Sequence, residues 1–199
     1  MTMKLVLATH NDDKIFEIKS LLQDLPIEIL SYKNFKEFPD VVEDRDTLKG
    51  NAEKKAKEIW ERHKLPTIAD DTGLFVKILN GAPGVYSSRY AGENVTYEDN
   101  RNKLLRDMQD VPSNKRDALF RTIIAFVDFD GKVEFLSGEC KGFIGFEEKG
   151  KFGFGYDPIF YLKDSGKSFA ELTFQEKNII SHRGKALQKF KDFLNAKIR

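Results

Sequence analysis

The feature that most limits what this chain can fold into is the run Ala118–Phe129, a long and mostly apolar strand pattern closed by Asp130-Gly131. Asp-Gly is a strong two-residue hairpin signal, and Val133 and Phe135 continue the pattern on a returning strand. Amphipathic helices precede and follow this hairpin. Ile15, Ile18, Leu21, Leu22 and Leu25 recur at helical spacing before Pro26. Leu48, Ala52, Ala56 and Ile59 mark a second helix, and Tyr97 to Met108 a third. Ala186, Leu187, Phe190, Phe193 and Leu194 form one stripe of a last helix.

Shorter strand patterns fill the rest. Lys4 to Ala8 reads as a buried strand, and Thr67 to Ala69 as another that ends in Asp70-Asp71-Thr72-Gly73. Leu74, Val76 and Ile78 alternate as a strand does, and Gly81-Ala82-Pro83-Gly84 is a turn. Lys151 to Asp157 is a glycine-aromatic loop before a short strand from Pro158 to Tyr161, and Thr173 with Glu176 matches a capping box. No repeat, low-complexity tract or linker interrupts the order. The expectation is one mixed α/β domain over residues 1–199, with the middle strands forming a second lobe.

Composition narrows the partners. Lys plus Arg is 33 and Asp plus Glu is 32, so the formal net charge is +1 and no global field favours a nucleic-acid polymer. An anionic ligand must then be held locally, by a few placed cations and backbone N–H groups. Cys140 is the single cysteine, which excludes an internal disulfide and fits a reducing cytoplasm. Met1 to Ala8 lacks the length and flanks of a signal peptide, and no apolar run approaches the roughly 20 residues of a membrane span.

Four segments could carry chemistry. Thr9-His10-Asn11-Asp12-Asp13-Lys14 lies between a strand and a helix, where unpaired N–H groups and a partial positive charge hold phosphate. It lacks the glycines of a Walker A loop, and Asp12 and Asp13 repel phosphate unless they point away. An ordinary N-cap at Asn11 or Asp12 explains the same residues. Asp70-Asp71-Thr72-Gly73 offers oxygen ligands for Mg²⁺ and a proton acceptor for water, against the alternative of a surface turn. Gly150-Lys151-Phe152-Gly153-Phe154-Gly155-Tyr156-Asp157 allows close backbone approach and ring stacking on a base, against the alternative of a glycine-rich hairpin packing its aromatics into the core. Ser181-His182-Arg183-Gly184, with Lys177 one helical turn upstream, could read a carbonyl or a phosphate, or be an N-cap at Ser181 with solvated neighbours. The three histidines show no zinc spacing, and no serine sits in a nucleophile elbow.

In this order and spacing the four segments resemble the inosine triphosphatase family, the non-canonical purine nucleoside triphosphate pyrophosphatases. The resemblance runs from Leu7-Ala8-Thr9-His10-Asn11 with Lys14 and Glu17 to Ala69-Asp70-Asp71-Thr72-Gly73-Leu74. It continues through Gly81-Ala82-Pro83-Gly84-Val85-Tyr86-Ser87-Ser88-Arg89-Tyr90 and Phe154-Gly155-Tyr156-Asp157-Pro158-Ile159-Phe160. It closes with Ala170-Glu171-Leu172-Thr173, Glu176-Lys177-Asn178 and Ser181-His182-Arg183. What it implies is an elongated twisted mixed sheet flanked by helices, two lobes with an active-site cleft between them, a homodimer in the cytoplasm, and a need for Mg²⁺. The implied activity is hydrolysis of ITP, dITP and XTP to monophosphate and pyrophosphate, cleansing the nucleotide pool.

The resemblance also assigns roles. Thr9 to Lys14 bind the triphosphate, Asp71 accepts a proton and binds the metal, and Asp70 and Lys14 join it in catalysis. Thr72 touches the substrate, Phe154 to Asp157 hold base and sugar, Lys177 neutralises phosphate, and His182 with Arg183 reads the purine. Glu43 is the second implied metal ligand, at a place where Val42 stands for the first acid of the family's usual pair. The family often has Ser at Thr72 and small residues near Asp12 and Asp13. Two competing readings remain at this point: a pyrophosphatase similar to the septum-formation-inhibitor family, whose early loop is arginine-rich, and a nucleotide-binding module without catalysis.

Overall fold

The computed structural model describes residues 2–198. The chain divides into two compact units, each discontinuous in sequence. The first comprises Met1–Asp71, Thr122–Gly138 and Lys185–Arg199, and the second Thr72–Arg121 and Glu139–Gly184. In order, the elements are β1 (Met3–Leu7), α1 (Asp12–Leu21), β2 (Ile27–Leu30), α2 (Leu48–His63), β3 (Thr67–Val76) and β4 (Pro83–Gly84). They continue as α3 (Tyr97–Asp107), β5 (Asp117–Val127), β6 (Val133–Ile144), β7 (Phe160–Tyr161), α4 (Phe174–Ile180) and α5 (His182–Ile198). The seven-stranded sheet runs β2-β1-β3-β5-β6-β7, with β4 on β3. It is mixed, with β1 parallel to β2 and β3, and antiparallel pairs β3–β4 and β6–β7. This is the expected α/β class.

The first unit is built on strand alternation, since successive side chains of a strand point to opposite faces. Leu5, Leu7, Ile68, Ile124 and Phe126 pack with Ile15 and Ile18 of α1 and with Ala186, Leu187, Phe190 and Leu194 of α5. The intervening residues Val6, Ala8, Ala69, Ala125 and Val127 pack with Ala52, Ala56 and Ile59 of α2. Each helix stripe read from the sequence therefore covers one face.

The second unit has its own core of Leu74, Val76, Leu104, Met108, Phe120, Ile144, Tyr156, Ile159, Phe160 and Phe169. At its edge lies Arg116, 1% exposed. Its guanidinium donates to the carbonyls of Ile144, Met108, Val111 and Gly145 at 2.6–3.1 Å, and it lies 4.2 Å from the Phe146 ring centroid. It joins the end of α3 to the end of β6.

The elements differ from the sequence expectation at several places. The strand expected over Pro158 to Tyr161 begins only at Phe160, and Pro83–Gly84 of the expected turn pairs as β4. Ile27–Leu30, directly after Pro26, forms β2 in register with β1, Met3 opposite Ile27 and Val6 opposite Leu30. Residue Ile78 lies in a short 3-10 turn rather than in a strand. Thr67–Ala69 does not end at the acid pair: β3 continues unbroken through Asp70 and Asp71 to Val76. Among the described residues no helix is long and apolar enough to cross a membrane.

Candidate active site

The acid pair sits inside a strand, which overturns both the surface-turn alternative and the placement at a strand end. In an extended strand neighbouring side chains diverge, so the two carboxylates face different helices. Asp70 follows the face of Ile68 and meets α1, where Lys14 Nζ lies 3.2 Å from its Oδ1. Asp71 follows the face of Ala69 and meets α2, where Lys55 Nζ lies 3.5 Å from its Oδ1. Both acids are buried, at 2% and 5% exposure. Asp70 also presents its backbone carbonyl to both ammonium groups, 2.8 Å from Lys55 and 3.4 Å from Lys14.

Lys55 is the residue that sequence reasoning missed. It donates to Glu43 Oε1 at 2.5 Å, besides its contacts with Asp70 and Asp71. A signal was present: Lys55 falls between Ala52, Ala56 and Ile59 on the apolar stripe of α2, where a solvated lysine has no place. Burial disfavours its charge, yet Asp71, Glu43 and Asp70 together raise its pKa above the ordinary lysine value. Its two carboxylate partners respond differently. Burial pushes Glu43 up, but the charge and hydrogen bond of Lys55 outweigh this and hold it below the usual range. Burial also pushes Asp71 up, and the longer approach of Lys55 does not offset it, so Asp71 titrates above an ordinary aspartate. Asp71 Oδ2 is buried and makes no hydrogen bond among the described residues.

The loop before α1 folds as a cap. Asn11 takes the N-cap position and its Oδ1 accepts from the Lys14 amide at 3.0 Å, while the Thr9 hydroxyl accepts from the Asn11 amide at 3.1 Å. The N-cap expectation at Asn11 is met, and the same cap aims Lys14 at Asp70. Asp12 turns toward the segment after β2, with Lys33 at 2.8 Å and the Tyr32 hydroxyl at 3.3 Å. Asp13 lies exposed. His10 packs against Tyr32 and Phe38, at 5.0 and 5.3 Å between centroids, with Asp40 at 3.7 Å.

The second unit gathers the remaining candidates. Phe154 lies at their centre, with Arg183 at 5.4 Å and Lys177 at 5.1 Å from its ring centroid. Arg183 Nη2 donates to the Thr72 hydroxyl at 3.2 Å. Lys177 is buried and donates to Asp157 Oδ2 at 2.6 Å, the same oxygen that accepts from the Phe154 amide at 2.9 Å. Gly153 has φ +74°, and a Cβ there would lie 2.0 Å from Asp157 Oδ2, so only glycine fits this turn. His182, 3% exposed, stacks on Phe120 at 4.3 Å, and Ser181 accepts from the Gly184 amide at 3.0 Å. The capping alternative thus describes Ser181, whereas its neighbours His182 and Arg183 are buried rather than solvated. Tyr156 is core: its ring is buried and its hydroxyl donates to the Ser87 carbonyl at 2.9 Å. Lys151 to Gly153 form the exposed part of the loop, and Phe154 and Gly155 are half-buried.

No group of three or more His, Cys, Asp or Glu side chains able to hold a metal occurs among the described residues. Diverging acids on one strand account for that. Mg²⁺ needs only one or two carboxylates when substrate phosphates and waters complete its shell. The buried, unengaged Asp71 Oδ2 and the neighbouring Glu43 meet that lower requirement.

Known proteins place these features in a family. The model of the Ham1 family matches residues 5–193. A protein named dITP/XTP pyrophosphatase from Thermoanaerobacter sp. (strain X514) is 50% identical over 192 residues, 96% of each chain. A solved HAM1 protein from Coxiella burnetii is 40% identical, with TM-score 0.89 over 98% of this chain and 100% of that one. The nucleoside-triphosphatase / dITP/XTP pyrophosphatase of Mycobacterium abscessus is 36% identical, with TM-score 0.75 over 94% and 97%. With a family match over nearly its whole length, the chain belongs to the Ham1 family.

Proposed function

We propose that this protein hydrolyses non-canonical purine nucleoside triphosphates, ITP, dITP and XTP, to the monophosphate and pyrophosphate in a Mg²⁺-dependent reaction, removing them from the nucleotide pool. The observation that carries this reading is Asp71: a buried carboxylate with raised proton affinity, one oxygen near Lys55 and the other unengaged. A group with that profile suits a proton acceptor. The names of the relatives support the substrate class.

Asp71 and Glu43 would hold Mg²⁺. When bound, the ion supplies charge neutralisation on the phosphate oxygens and a fixed position for water. Asp71 takes a proton from the attacking water. The new bond forms between the water oxygen and the α-phosphorus, the α-phosphorus–bridging-oxygen bond breaks, and pyrophosphate leaves. Lys14, at the cap of α1, answers the charge that develops on the phosphates, an effect worth several kcal/mol in a low-dielectric site. Lys55 keeps Glu43 ionised and Asp71 oriented. Thr9 to Asp13 contribute the cap and its N–H groups.

Phe154, Arg183 and His182 read the base. The Phe154 ring stacks on the purine, and Arg183 with His182 offers donors to its 6-carbonyl. Adenine has an amino donor there, so one buried donor would go unmet, at a penalty of roughly 1–3 kcal/mol. Lys177 holds Asp157, which in turn holds the Phe154 amide.

The test is a panel of ITP, dITP, XTP, ATP, GTP and CTP with Mg²⁺, reading pyrophosphate. ITP and XTP at least tenfold above the others in kcat/KM is the expected result. Preference for a pyrimidine favours the septum-inhibitor-like reading, and binding without turnover favours a non-catalytic module.

A further inference from the structure

Resting on the reading that Phe154 stacks the purine, we propose that Arg101 is a positioning residue for substrate recognition, acting through Gly155 to hold that ring in place. Arg101 lies on α3, on the same helix face as Tyr97, Leu104 and Met108, the last two being core residues. Its side chain is only 15% exposed. Nη1 donates to the Gly155 carbonyl at 3.0 Å and Nε donates to Glu148 Oε1 at 2.7 Å. Glu148 and Gly155 stand at the two limbs of the loop that carries Phe154, so one planar guanidinium ties both limbs together.

The rest of the loop explains why this tie matters. Its far side is fixed by the amides of Lys151 and Phe152, both donating to the Ala170 carbonyl. Its exit is fixed by Asp157, which accepts from the Phe154 amide. The Gly155 carbonyl lies between these anchors, and its bond to Arg101 completes the hold on the residue after Phe154. The ring of Tyr97, one turn before Arg101, packs tilted beside the Phe154 ring, with centroids 5.9 Å apart. α3 is therefore the support against which the stacking ring rests. Its start is set by the Thr96–Asp99 capping box.

Arg101 bonds Gly155 and Glu148, within its own unit. Its loss should weaken binding of the base and spare the chemical step, which predicts a KM effect with little change in kcat. A merely structural arginine would instead lower the melting temperature and leave KM alone.

The experiment compares the full-length protein with Arg101→Met, Arg101→Lys and Glu148→Gln. Steady-state kinetics on ITP with Mg²⁺ are read together with melting temperature and amide hydrogen exchange over residues 150–157. Expected are a KM about tenfold higher in Arg101→Met with kcat within about twofold, partial recovery in Arg101→Lys, a smaller KM rise in Glu148→Gln, and faster exchange in the loop. Unchanged KM, or a fall in kcat without a rise in KM, overturns the proposal, as does unaltered exchange in the loop. Exchange is read without substrate. A wild-type protein inactive on every purine triphosphate therefore removes the function proposed above, while the exchange result still decides whether Arg101 holds the loop.

Discussion

Lys55 Nζ lies 2.5 Å from Glu43 Oε1 but 3.5 Å from Asp71 Oδ1, so one ammonium neutralises two carboxylates unequally. That inequality separates their roles. Glu43 is held ionised, whereas Asp71 keeps a raised affinity for a proton.

Lys55→Met should leave half-buried Glu43 and buried Asp71 without their shared ammonium, with Lys14 still exerting some attraction on both. Breaking such a group by removing one partner costs about 3–5 kcal/mol when fully buried, and the partial exposure of Glu43 places the loss toward the lower end. Thermal melting in EDTA should show this loss, and added Mg²⁺ should recover more stability in the variant than in the wild type. Equal melting curves with and without Mg²⁺ in both proteins count against a metal at this site.

How much of this was legible in the sequence differs by residue. The sheet and its helices followed from periodicity, because Leu5/Leu7 and Val6/Ala8 each need a cover and the chain supplies amphipathic stripes for both faces. β2 was not legible, since Ile27–Leu30 is four residues long and takes its register from β1 rather than from its own pattern. The acid pair was legible as chemistry but misread as the end of a strand, because Asp, Thr and Gly are turn formers whose preference the pairing of β3 overrides. The division of Asp70 to Lys14 and Asp71 to Lys55 follows from that continuity, and only the extended backbone reveals it.

Gly153→Ala should disturb the loop that carries Phe154. The added Cβ meets Asp157 Oδ2, in a backbone conformation that alanine resists, and displaces the carboxylate that holds Lys177 and the Phe154 amide. ITP turnover at subsaturating substrate should fall at least about tenfold, equivalent to roughly 1.4 kcal/mol of lost transition-state binding. Wild-type kcat/KM in this variant would show that the loop does not contact the base.

Arg116→Met should be the strongest purely structural lesion. It removes a buried guanidinium that donates to four carbonyls, of which the Met108 carbonyl keeps the Val111 amide as a donor. Each unmet group costs about 1–3 kcal/mol, so a loss above roughly 3 kcal/mol is expected in urea denaturation. A loss below about 1 kcal/mol would mean that water reaches these carbonyls freely.

His63 gives a pH signature of stability. Its ring packs 4.1 Å from Phe35 and 5.6 Å from Phe38, and burial, helped by Arg62, pulls its pKa below 6.5. The unfolded chain then binds the proton more readily than the folded one, so stability falls as pH drops through 6.5 and levels off below the folded pKa. His63→Phe should flatten that part of the stability profile, measured by chemical denaturation between about pH 5 and 7.5. An identical slope in the variant assigns the dependence to other groups.

The most direct measurement is ³¹P NMR of ITP incubated with Mg²⁺ and either the wild-type protein or Asp71→Asn. IMP and pyrophosphate from the wild type, with the variant slower by roughly 10²–10⁴-fold, is the result predicted for a proton acceptor at Asp71. IDP with orthophosphate, or near-normal turnover by Asp71→Asn, would contradict it.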